Sequence, residues 1–233
     1  MLFRSFNAWG GKYEEQKKDG RIFTHHASRI EAPCVEADFV FEGGSIDVNG
    51  QGACLTTEQC LLNPNRNPRL SRLQIEKNLK DYLGVSEIVW LKKGIEGDDT
   101  DGHVDDIARF VNEDTMVLAY EEDSSDANAK ALQENGKRLK DYIKENQKDW
   151  VLIRLPMPGK IANGEGKRLP ASYADFYIAN ETVLLPVYSH PRDQRAIDLL
   201  TELFPSRTVV PIECTALVQG LGAIHCATQQ EPS

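Results

Sequence analysis

The sequence predicts an α/β protein assembled from repeated ββαβ modules, and three observations carry that prediction. One pattern, a hairpin followed by a helix and a further strand, recurs at intervals of roughly fifty to seventy residues. Each repeat contains its own two-stranded hairpin, so a fan or propeller of modules fits better than a doubly wound sheet. No GxGxxG or Walker pattern follows a predicted strand, which leaves nucleotide binding without sequence support.

The elements follow in order. Residues 3–8 read as a strand, 18–31 as a helix and 36–41 as a second strand. In the first full unit, strands 45–48 and 53–57 meet at Asn49-Gly50, a dipeptide that supplies positive φ in a tight hairpin turn. Ser71 opens a helix carrying Leu73, Ile75, Leu79, Tyr82 and Leu83, with Gly84 as its C-cap, and 85–91 is the closing strand. The second unit pairs 103–111 with 116–120 and continues in a helix from about 126 to 146. There Ala129, Leu132, Leu139, Tyr142 and Ile143 fall at helical spacing, and strand 151–155 follows. The third has strands 173–178 and 183–187, helix 193–203 and strand 207–212, after which 220–228 reads as the opening strand of another unit. The expectation is a single domain over 1–233, with full modules at about 42–91, 103–156 and 173–213.

Composition bounds the function. A formal charge of −9 argues against a nucleic-acid groove, which needs clustered Lys and Arg, and would help to attract a cationic substrate. The five cysteines are odd in number, widely spaced and free of any CxxC pair, which suits a reducing compartment and neither a disulfide framework nor a zinc site. The N-terminus MLFRSFNAWGGKY lacks the apolar core of a signal peptide, and no run approaches the ~20 apolar residues of a membrane span. A cytoplasmic protein without membrane or nucleic-acid partners is expected.

The stretch with most chemistry is GIEGDDTDGHVDDIARF, residues 94–110. If 103–111 is a strand, His103 and Asp105 share a face, with Val104 and Asp106 on the other. An imidazole beside a carboxylate at a loop-to-strand junction is a plausible reaction site. The alternative is a solvated or calcium-like acidic loop, although the run does not keep the ligand order of an EF-hand. Elsewhere, His25-His26 are adjacent on a predicted helix and cannot share a face. Arg66, Arg69 and Arg72 read as a solvated surface, and no G-x-S-x-G supports a serine nucleophile. Cys34, Cys54, Cys60 and Cys214 sit among apolar neighbours and read as packing residues. Cys226 differs in following Gly220, Gly222 and His225; on a strand His225 would point away from it, towards a packing or hydrogen-bonding role.

The motifs FNAWGGKY, EGGSIDVNGQG, LTTEQCLLNPNRNP, DDTDGHVDDIARF, LPASYADFYIAN and GLGAIHCATQQEP resemble, in order, those of agmatine deiminases, over Phe6 to Pro232. The resemblance implies a pentein-type α/β propeller of five ββαβ blades. It also implies hydrolysis of agmatine to N-carbamoylputrescine and ammonia, without cofactor or metal. Cys226 would then be the nucleophile and His103 the general acid and base. Asp105 would grip the guanidinium and Glu42 would partner the histidine. Gly44 and Gly222 would let the backbone approach the substrate. Asp175 stands where the family usually has Asn, Leu221 where it often has Gly, and Ala53 where Thr is common. Family members are longer at the N-terminus, with a Trp-x-Arg-Asp-x-Gly-Pro motif bearing another catalytic carboxylate. That motif is not in this sequence, so an N-terminally incomplete propeller is expected. A catalytically inactive deiminase-like chain and a deiminase of another guanidine, such as peptidyl arginine, stay open, as does a homo-oligomer.

Overall fold

The computed structural model describes residues 2–4, 6–22 and 34–230. Leu2–Arg4 (β1) and Cys34–Glu36 (β2) run parallel as a two-stranded ribbon. Three further sheets follow, all built alike: an antiparallel pair, then a helix, then a strand parallel to the middle one.

In the first, Ile46–Val48 (β3) and Ala53–Thr57 (β4) form the predicted hairpin. Asn49 Oδ1 accepts the Gln51 and Ala53 N–H groups, each at 2.9 Å, and Gly50 takes φ +73°. A short helix, Glu58–Leu61 (α1), is capped by Thr57, whose Oγ1 accepts the Cys60 N–H at 3.1 Å. Arg72–Leu83 (α2) begins where Gln74 Oε1 accepts the Ser71 N–H at 2.8 Å, and ends at Gly84 in the left-handed region. Glu87–Leu91 (β5) then lies parallel to β4, Ala53 opposite Glu87 and Thr57 opposite Leu91.

The second sheet comprises Ala108–Phe110 (β6), Thr115–Tyr120 (β7), helix Ala129–Glu145 (α3) and Val151–Pro156 (β8). The third comprises Tyr177–Ile178 (β9), Thr182–Val187 (β10), helix Asp193–Leu203 (α4) and Thr208–Glu213 (β11). Strand β7 is buried on both faces, because successive side chains alternate. Met116 and Leu118 join Leu55, Val89, Leu91, Leu132 and Leu139 in one core, while Val117 joins Leu155, Val183, Leu185, Leu200 and Phe204 in another. The second core also takes in Val218, Ala223 and Ile224, which fastens the C-terminal segment to the third sheet. Among the described residues no helix is long and apolar enough to cross a membrane.

Five predicted strands are corrected, the first being 3–8, where the strand is Leu2–Arg4 and Ala8–Gly11 is a short helix. Residues 103–107 form a turn, with the Ile107 and Ala108 N–H groups bonded back to Val104 O, and only Ala108–Phe110 is strand. The apolar spacing Val104 to Ile107 is that of a turn and not of alternation. Strand 36–41 stops at Glu36; beyond it the Asn67 side chain bonds both the N–H and the C=O of Val40, each at 2.8 Å, where a neighbouring strand would. Strand 173–178 shortens to Tyr177–Ile178. The expected strand 220–228 is instead two 3-10 turns, Leu217–Gly220 and His225–Ala227, separated by Leu221 at φ +68°. A glycine meets no Cβ penalty there, whereas a leucine costs about 1–2 kcal/mol. The helix predicted over 18–31 is represented by a 3-10 turn, Glu14–Arg21; 23–33, with His25-His26, lie outside the described residues.

Candidate active site

The acidic loop is a structural device and not a solvated run. Asp98 ties it together: Oδ1 accepts the Thr100 N–H at 2.7 Å, and Oδ2 accepts the Gly102 and His103 N–H groups at 2.8 and 3.0 Å. Asp99 is held by Tyr13, and Asp101 by Lys12 and Asn65 at 2.7 and 2.9 Å. Arg66, expected on the surface, is buried beneath this loop. Its Nε donates to Glu42 Oε1 at 2.7 Å, Nη1 to Asp101 Oδ2 at 2.5 Å and Nη2 to Thr100 O at 2.7 Å. A guanidinium can be buried when its donors are met by carboxylates and carbonyls at this geometry.

Gly44 joins the loop to the first module. Its carbonyl accepts the Val104 and Asp105 N–H groups at 3.0 and 3.3 Å, which sets the turn that carries His103 and Asp105. A Cβ on Gly44 would stand 2.5 Å from Asp105 Oδ2 and 2.6 Å from His103 Nδ1. The two side chains therefore do come together, but around a glycine and not on one strand face.

Around His103 sit Glu42 and Cys60. His103 Nε2 lies 3.7 Å from Glu42 Oε2, and the Cys60 sulfur lies 3.9 Å from that oxygen. Cys60 packs in a core with Phe39, Phe41, Leu61, Ile75 and Leu79, as expected of it, and also borders this carboxylate. Burial alone would raise the Glu42 carboxyl, but His103 and Arg66 outweigh it and hold the group below its ordinary value. Burial alone would likewise lower the His103 imidazolium, yet Cys60, Glu42 and Asp105 raise it well above the usual range.

The second group of side chains surrounds Cys226. Asp105, fully buried, has Oδ2 2.8 Å from His225 Nδ1 and 3.8 Å from the Cys226 sulfur, and its Oδ1 has no hydrogen-bond partner. His225 therefore faces the site and contacts Asp105, which the strand reading missed. Asp175 accepts the Ala223 N–H on Oδ2 at 2.7 Å and the Cys226 N–H on Oδ1 at 3.1 Å. A Cβ on Gly222 would meet the Cys226 sulfur at 3.2 Å, so the glycine lets the thiol fold back against the loop.

Three buried carboxyls crowd this space. Burial raises Asp105, but His225, His103 and Arg109 more than offset it and keep Asp105 ionised. Burial and the charge of Asp105 push Asp175 up to about 8, and burial with Asp175 and Asp105 pushes Asp106 well above the carboxylate range. Cys226 is open to solvent on one side. On its other side the packed protein, with Asp105, Asp175 and Asp106, drives the thiol well above its ordinary value. A cation seated against these acids would reverse the last effect. Among the residues that sequence reasoning did not place here, Cys60 and Arg66 had one available signal: both lie inside LTTEQCLLNPNRNP.

A family model described as Porphyromonas-type peptidyl-arginine deiminase matches residues 1–232. A Legionella pneumophila protein named "Putative agmatine deiminase" is 40% identical over 228 residues, 97% of this chain and 65% of its own length. The chain thus spans somewhat under two thirds of that relative. Agmatine deiminase of Enterococcus faecalis superposes with a TM-score of 0.92 at 34% identity, covering 99% of this chain and 69% of that one. A Cys-to-Ser variant of C. jejuni agmatine deiminase with substrate bound gives a TM-score of 0.89 at 33% identity, covering 97% of this chain and 66% of that one.

Proposed function

The chain belongs to the Porphyromonas-type peptidyl-arginine deiminase family, and we propose that its site hydrolyses agmatine to N-carbamoylputrescine and ammonia through a covalent intermediate on Cys226. The observation that carries the reading is the Cys226 sulfur 3.8 Å from Asp105, a buried carboxylate with one oxygen free of any partner. A guanidinium that donates to that oxygen has its carbon next to the thiol, the placement that attack by sulfur needs.

The roles follow from charge. With the site empty, burial and the neighbouring carboxyls together keep Cys226 protonated. A bound guanidinium cancels part of their field, so the thiolate forms only when there is substrate to attack. The sulfur adds to the guanidinium carbon, and His103, held as imidazolium beside Glu42, gives its proton to the departing ammonia. The neutral imidazole then takes a proton from water, which adds to the amidino carbon and releases the sulfur. Gly44 and Gly222 leave the space that side chains would fill, and the substrate contacts assigned to them rest on that space. A single domain over 1–233 with modules at about 42–91, 103–156 and 173–213 is part of the same reading, as is a cytoplasmic setting.

The test is ammonia and N-carbamoylputrescine release from agmatine by the purified 233-residue chain, with intact-mass detection of an amidino adduct in His103→Ala. Wild-type turnover with none in Cys226→Ser is the expected result, since a serine hydroxyl is far less ionised at neutral pH. Turnover that survives Cys226→Ser would remove the covalent route.

A further inference from the structure

Three donor atoms of the kind that bind zinc already stand together on the His103 side of the site. The Nε2 of His103 and the sulfur of Cys60 lie 3.7 and 3.9 Å from Glu42 Oε2, and the ligand atoms of the three residues all fall within 4.8 Å of one another. His103 Nε2 is buried in a side chain only 6% exposed and has no hydrogen-bond partner. Tetrahedral zinc, with bonds of about 2.3 Å to sulfur and about 2.0–2.1 Å to nitrogen and oxygen, spaces such atoms roughly 3.3–3.6 Å apart. The two distances to Glu42 Oε2 need to close by only a few tenths of an ångström, and the third, between Cys60 and His103, by no more than about 1.3 Å.

An ion there displaces the protons that His103 and Cys60 carry in its absence, and the remaining charges do not forbid it. The nearby Arg66 guanidinium is engaged by Glu42 Oε1, Asp101 Oδ2 and Thr100 O, which leaves Glu42 Oε2 turned to the cluster. The donor set of one thiol, one imidazole and one carboxylate favours a thiophilic dication over magnesium or calcium. The neighbouring trio of Asp105, Asp175 and Cys226 is also compact, but both Asp175 oxygens accept backbone amides and Asp105 Oδ2 is taken by His225.

We infer that Glu42, Cys60 and His103 form a binding site for a thiophilic divalent cation, zinc above all, with a water in the fourth position. Ion binding there stands independently of the hydrolytic reading. Its consequence, inhibition of agmatine turnover through capture of His103 and Glu42, rests on that reading.

The experiment titrates the reduced full chain with Co2+ and follows the thiolate-to-cobalt charge-transfer absorption and the ligand-field bands of a tetrahedral ion, with Zn2+ as competitor. The wild type takes up a single equivalent with both signatures, and Zn2+ abolishes them. Cys60→Ser loses the charge-transfer band, and His103→Gln binds at least about tenfold more weakly. Glu42→Gln, which keeps the shape of the side chain, also binds at least about tenfold more weakly and decides the matter even if Cys60→Ser fails to fold. Cys226→Ser retains the wild-type spectrum. Absence of a charge-transfer band in wild type overturns the site, as does a band that survives Cys60→Ser and vanishes in Cys226→Ser. A chain that binds cobalt in this way yet releases no ammonia from agmatine supports the site and counts against the hydrolytic reading alone.

Discussion

Asp175 holds the Cys226 loop by both of its oxygens, accepting the Cys226 N–H at 3.1 Å and the Ala223 N–H at 2.7 Å. Residue 223 precedes the 3-10 turn His225–Ala227 and residue 226 lies within it, so one buried acid sets the position of the Cys226 thiol. It also adds, after burial and Asp105, to the forces that keep the thiol protonated, and its own carboxyl is lifted by burial and Asp105 from 3.8 to about 8. The folded chain keeps a proton there that the unfolded chain releases near pH 4. This group's contribution is therefore full below about pH 4 and declines as pH rises towards about 8. In Asp175→Asn the decline over that window should be shallower, at the cost of one amide contact. Peptide-resolved alkylation should also show Cys226 ionising at lower pH, since one negative neighbour is gone. Thermal melts across the window with unchanged slope would count against the raised carboxyl.

Gly43 and Gly44 adjoin in sequence but should differ sharply on substitution. A Cβ on Gly43 meets only Gln229 Oε1 at 3.8 Å, an ordinary contact, whereas on Gly44 it would drive into Asp105 and His103. Gly43→Ala is expected to leave stability within about 0.5 kcal/mol of wild type. Gly44→Ala should cost about 1–3 kcal/mol, the usual penalty for overfilling a packed site, and should change the rate of Cys226 alkylation through Asp105. Urea unfolding of both variants checks the contrast, and equal stabilities would mean the site has slack that its distances do not suggest.

Removing Arg66 should be among the most damaging single changes in the chain. Arg66→Ala leaves Glu42, sealed from water, with His103 alone, and breaking a buried pair from one side typically costs about 3–5 kcal/mol. Arg66→Lys should recover only part, because an ammonium cannot reproduce the fork that meets Glu42, Asp101 and Thr100 together. Denaturation midpoints are the readout, and a lysine variant as stable as wild type would show that charge alone is needed.

The architecture was legible because it is written in local signals. The Asn49-Gly50 turn, the Ser71 and Gly84 caps and the helical spacing of Leu132 and Leu139 each depend on a few neighbouring residues. Motif resemblance named side chains that the fold gathers at the candidate site, but it carried none of their geometry. His103 and Asp105 meet because Gly44, some sixty residues earlier, bonds their turn, and alternation along the chain carries no record of that. Arg66 read as surface because charge normally prefers water, and its burial depends on Glu42 and the distant 98–101 loop arriving together. Cys60 packs in a core and His225 makes a hydrogen bond, as each was read, but a short apolar stretch does not show that it also borders a site.

His225 carries the last expectation. Its Nδ1 lies 2.8 Å from Asp105 Oδ2, and Asp105 is fully buried. Burial works to raise the Asp105 carboxyl; the contacts with His225, His103 and Arg109 prevail and depress it. A depressed carboxyl contributes stability above its unfolded value near pH 4, and that contribution is lost as pH falls through the lower folded value. In His225→Ala the largest of the opposing contacts is gone, so Asp105 should protonate at higher pH and acid unfolding should begin earlier. At neutral pH the variant should be less stable by about 1.5–3 kcal/mol, the range for a hydrogen bond to a charged group. His225→Gln, which offers an amide donor from a similar distance, should restore part of both effects. Circular dichroism during acid titration measures them. An acid limb that does not move in His225→Ala would mean that Asp105 is kept ionised by His103 and Arg109 alone.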